Sequence, residues 1–65
     1  GKYDLALKDF DTVLQMDPRN EEAFNNRGWT YKAMGNSQQA CEDWASSKKM
    51  GNDEARVILK NNNCK

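Results

Sequence analysis

The 65 residues predict an all-α fold of four antiparallel helices joined by short turns. Three observations carry this. Apolar residues recur at steps of three and four, the period of a helix with one buried face. No stretch shows the alternation of a strand. The chain also repeats itself: displaced by thirty-four residues, Gly1 falls on Gly35, Ala6 on Ala40, Asp9 on Asp43 and Met16 on Met50, with Phe10 on Trp44 and Leu7 on Cys41. A period of this size marks helical hairpins that stack to bury their apolar stripes.

The first helix carries Tyr3, Ala6, Leu7, Phe10, Val13 and Leu14 on one face. Asp17-Pro18 ends it, because proline has no amide proton and disfavours helical geometry in the residue before it. Asn20 can cap a second helix, with Glu21 and Glu22 at its positive end. Phe24, Gly28 and Tyr31 continue along that helix as a stripe, and Gly35-Asn36 reads as its stop. A third helix places Ala40, Cys41, Trp44 and Ala45 on its apolar side and closes at Gly51. Asn52-Asp53-Glu54-Ala55 repeats the start signal of Asn20-Glu21-Glu22-Ala23. A short fourth helix follows, with Ala55, Ile58 and Leu59 at packing spacing. Asn61-Asn62-Asn63 dissolves it, since asparagine competes for backbone hydrogen bonds.

At this point the residues carry a resemblance. A thirty-four-residue helix–turn–helix unit with W-x2-L-G-x2-Y, then A-x3-F, then P, is similar to the tetratricopeptide repeat. Phe24-x2-Arg27-Gly28-x2-Tyr31 matches the first half, with Phe for Trp and Arg for Leu. Ala40-x3-Trp44 matches the second half, and Asn52 stands where the proline would be. Ala6-x3-Phe10 and Pro18 match a second half on their own. The resemblance implies an α-solenoid fragment in three parts. Residues 1–18 are the second helix of a truncated repeat, 19–52 one complete repeat, and 53–65 a polar capping helix and tail. Because the chain starts in mid-repeat, we expect the C-terminal end of a longer array. The face of the first helix that would meet the missing helix is then exposed or paired with a second copy.

The motif has a physical reading of its own. Gly28 lets the second and third helices approach closely, and Ala6 and Ala40 serve that closeness from the other side. Phe10 and Trp44 fill the wedge between hairpins. Arg27, in place of an apolar residue, lays its stem across the hairpin and reaches Asp43 or Glu42.

In the family resembled, first-type helices line a concave surface that binds an extended peptide or a partner helix. Only the second helix here is clearly of that type. At about 100° per residue, Glu22, Asn25, Asn26, Trp29, Lys32 and Ala33 share the face opposite the Phe24–Gly28–Tyr31 stripe. Trp29 lies near the middle, and an aromatic among polar groups suits a peptide contact. The alternative is that Trp29 packs on a first-type helix absent from this chain. Asn26 also stands where some members grip a C-terminal carboxylate with help from basic residues of the next first-type helix. A shift of thirty-four would supply Arg56 and Lys60; a shift of thirty-two would supply Glu54 and Ile58.

Composition narrows the rest. Ten Lys and Arg balance ten Asp and Glu, and there is no His. The pI is 6.4 and the mean hydropathy -1.08. A phosphate backbone wants clustered base charge, so nucleic acid is not an expected partner. No nucleophile–base pair, phosphate loop or metal-ligand cluster is legible, so no catalytic residue, cofactor or metal is expected. Asp4, Asp9 and Asp11 read as a solvated edge. Lys48 and Lys49 favour the helix dipole, and Met34 and Met50 read as adaptable packing. Cys41 and Cys64 are too few for a disulfide framework. They read as one half-buried thiol and one in a loose tail, which leans towards a reducing, cytoplasmic interior. The expected function is a non-catalytic module that binds a protein or peptide as a monomer or weak homo-oligomer. The alternative is a structural segment that self-associates through the first helix.

Overall fold

The computed structural model describes residues 1–64. It contains α1 (Lys2–Met16), α2 (Glu21–Ala33), α3 (Ser37–Lys49) and α4 (Glu54–Asn61). The tightest packing joins α2 to α3. Helix α1 packs on α2, and α4 on α3, so each helix leans chiefly on its neighbours in the chain.

One device ends three of the four helices. After α2, the amide of Gly35 donates to Lys32 O and that of Asn36 to Tyr31 O, both at 2.9 Å. After α3, Gly51 donates to Lys48 O and Asn52 to Ser47 O, both at 3.1 Å. After α4, Asn63 donates to Lys60 O and Cys64 to Leu59 O, at 3.3 and 3.0 Å. These are Schellman caps, which need one residue in left-handed geometry. Gly35 and Gly51 supply it with φ of 85° and 109°, and Asn63 supplies it at 57°. Two of the helices begin on asparagine caps. Asn20 Oδ1 accepts from Ala23 N at 3.0 Å, and Asn36 Oδ1 from Gln39 N at 3.2 Å. Asn36 therefore closes one helix and opens the next. Helix α1 ends as its sequence requires: Asp17 takes φ -139° and ψ 85°, extended backbone ahead of Pro18.

The core lies between α2, α3 and the start of α4. Ala23, Ala40, Trp44 and Ala55 are buried, together with Asp43 and Ser47, and Gly28 is buried beside them. A Cβ on Gly28 would lie 2.5 Å from Trp44 Nε1 and 2.7 Å from Cδ1. The indole therefore rests on the glycine backbone, and its Nε1 is buried without a hydrogen-bond partner. Ala6, Phe10, Phe24 and Tyr31 are half-buried, and Pro18 is exposed.

Three expectations are corrected. Ala45 is exposed rather than part of the apolar side of α3. Asp11 is not simply solvated, because its Oδ1 accepts from Arg27 Nη1 at 2.8 Å. The cysteines are not free: Cys41 and Cys64 form a disulfide, with Cα atoms 5.5 Å apart. Helix α4 returns antiparallel along α3, and its Schellman cap turns Cys64 back onto the start of that helix. The free thiols that favoured a reducing interior do not exist, and residues 62–64 are an ordered cap rather than a loose tail.

Candidate functional site

The residues expected to meet a partner are strung along α2. Glu22 and Asn26 line a groove of about 200 Å³ against Phe10 and Val13 of α1. Asn25 is half-buried, and its Oδ1 is shielded without a hydrogen-bond partner. Trp29 comes next, 42% exposed. Its ring meets Trp44 edge-on, with centroids 4.9 Å apart and planes at 63°. Neither sequence expectation anticipated that contact: Trp29 leans on the buried tryptophan of α3. Lys32 is exposed and places Nζ 5.6 Å from the Trp29 ring centroid. The same ammonium donates to Asn62 Oδ1 at the end of α4. Asn26 faces the α1 side, whereas Arg56 and Lys60 are exposed on α4.

Beneath this face lies a charged brace. Arg27 Nε and Nη2 donate to the two carboxylate oxygens of Asp43, each at 2.8 Å, and Nη1 donates to Asp11. One guanidinium thus ties α1, α2 and α3, in the planar fork that suits a carboxylate. Its charged form is favoured above the ordinary arginine value, first through the hydrogen bond to Asp43 and then through that to Asp11, against the cost of burial. The guanidinium also lies 5.6 Å from the Phe24 ring centroid.

Sequence reasoning missed two parts of this framework. Ser47 is fully buried; its hydroxyl donates to Glu21 O at 2.8 Å and accepts from Asn52 Nδ2 at 2.9 Å. A signal existed: Ser47 falls three residues after Trp44, on the apolar stripe, and a polar group there needs partners. Asn62, the partner of Lys32, had no such signal, because the tail's return to α2 is set by tertiary packing.

A pattern described as the tetratricopeptide repeat matches residues 10–42. The chain belongs to the tetratricopeptide repeat family. The match spans the second half of α1, all of α2 and the start of α3, so it takes in Arg27, Gly28 and the whole candidate face. Repeats of this family serve generally as protein–protein interaction modules, and the partners implied are proteins. No curated protein and no solved structure gives a significant match to the chain. No described helix is long and apolar enough to cross a membrane.

Proposed function

We propose that this repeat segment is a non-catalytic module that holds an extended peptide or a partner helix on the exposed face of α2. Glu22, Asn25, Asn26, Trp29 and Lys32 make the contacts. The observation that carries the reading is the state of Trp29. One edge is braced by Trp44 while 42% of the residue faces solvent, flanked by groups that donate and accept. A braced aromatic offers contact area with little side-chain entropy left to lose. The balanced charge favours protein over nucleic acid as the ligand.

A second reading is favoured by α1, which buries no residue. Tyr3, Leu5, Val13 and Met16 on it are exposed, and self-association through that helix would cover them.

Peptides selected from a random library on the immobilised chain test the first reading. Trp29→Ala should weaken their binding by about thirtyfold, the roughly 2 kcal/mol of an interface hot spot. Equal affinity for both proteins would refute the assignment. A sedimentation coefficient that rises with concentration in the same preparations would favour α1 instead.

A further inference from the structure

The Cys41–Cys64 disulfide holds a part of the molecule that has little else to hold it. Helix α4 has eight residues and buries only Ala55, and isolated helices below about twelve residues are marginal in water. Its two ends are secured differently. At the start, Asn52 donates to Ser47 Oγ and accepts from Glu54 N, and Ala55 is fully buried. At the end, Ile58 and Leu59 are half-buried and Val57 is exposed. That end is fixed by the covalent tie from Cys64 to α3 and by a single hydrogen bond, on an exposed side chain, from Lys32 to Asn62. Meanwhile the contacts that join α1, α2 and α3 (Gly28 on Trp44, Arg27 on Asp43 and Asp11) involve nothing beyond residue 52.

We propose that this disulfide is a redox-sensitive latch. A dithiol reductant opens it and frees the second half of α4 with residues 62–64, while α1 to α3 stay folded. Access is present: Cys41 and Cys64 line an open groove of about 540 Å³ with Ala45 and Leu59, and neither is fully buried. A thiolate of the reductant attacks one Sγ, the protein S–S bond breaks, and a mixed disulfide forms. The displaced sulfur takes a proton. The second thiol of the reductant then attacks the mixed disulfide, the other protein sulfur leaves and is protonated, and the reductant departs as its own disulfide. Two electrons pass from the dithiol to the chain. Asn62 leaves with the tail, so Lys32 loses its acceptor on the α2 face. This last consequence for recognition rests on the function proposed above; the latch itself does not.

Hydrogen exchange of the whole chain, oxidised and after dithiothreitol, tests the latch, with Cys41→Ser/Cys64→Ser as a permanently open form. Protection over residues 57–64 should fall by about tenfold or more on reduction and in the variant. Protection over 23–47 should hold, and reoxidation should restore the first. Unchanged protection over 57–64 would overturn the proposal. So would its loss across 23–47 as well, because the bond would then be a staple of the whole fold. A peptide that fails to bind leaves these readings untouched.

Discussion

Gly28 and Trp44 make a contact whose sign can be predicted against intuition. Alanine is the better helix former by about 0.5–1 kcal/mol. Yet its Cβ at residue 28 would lie 2.5 Å from a buried indole, and overpacking costs about 1–3 kcal/mol. Gly28→Ala should therefore destabilise, read as a lower denaturation midpoint in urea; a rise would contradict the close approach. Arg27 separates a buried partner from an exposed one. Asp43 is 4% exposed, so Arg27→Met strands a carboxylate in the interior at a cost of about 3–5 kcal/mol. The Asp11 side chain is 56% exposed, so Asp11→Asn should cost under about 1 kcal/mol. Thermal melts followed by circular dichroism would show the first variant largely unfolded and the second close to the parent. The pH dependence follows from the direction of the shift. A raised arginine pKa gives stability that is complete below the ordinary arginine value, declines above it, and is gone once the pH passes the raised one. Arg27 therefore stays charged through titration to about pH 10.

Among the elements, the four helices were legible because stripes, stops and caps agree with one another. Asn20, Gly35, Asn36 and Gly51 each do in the structure what their chemistry prescribes. Arg27 reaching α3 was legible as far as the pair Asp43 or Glu42, because its long stem can cross the hairpin; the structure selects Asp43. The disulfide was not. Its partners are 23 residues apart in sequence, and only the antiparallel return of α4 and the left-handed Asn63 bring them together. Closing a loop of that length stabilises by about 3 kcal/mol in the chain-entropy view, and the latch proposed above places that gain on the ordering of α4 against α3. Ser47 knits the elements by a different route, joining the start of α2 to the α3–α4 turn. Ser47→Ala should cost about 1 kcal/mol, read as a shift in the urea midpoint; no shift would mean the two hydrogen bonds add nothing net.

As a whole the molecule is a thin slab, 28 × 25 × 13 Å, with helices that lean chiefly on chain neighbours. Such an arrangement leaves long faces open, and two compete here. On α1, Tyr3, Leu5, Val13 and Met16 are exposed, while the α2 face is mixed, with Trp29 braced from below. The family was legible from the thirty-four-residue period and the Phe24–Tyr31 and Ala40–Trp44 spacings. The support beneath the candidate face was not, because the Trp29–Trp44 contact and the Lys32–Asn62 bond join residues whose meeting depends on how the helices cross. The most direct measurement is a heteronuclear NMR titration of the labelled chain with a library-selected peptide. The account predicts shifts at Glu22, Asn25, Asn26, Trp29 and Lys32 that saturate together, with α1 unmoved at Tyr3, Leu5 and Met16. Shifts confined to those α1 residues, with Trp29 silent, would contradict it.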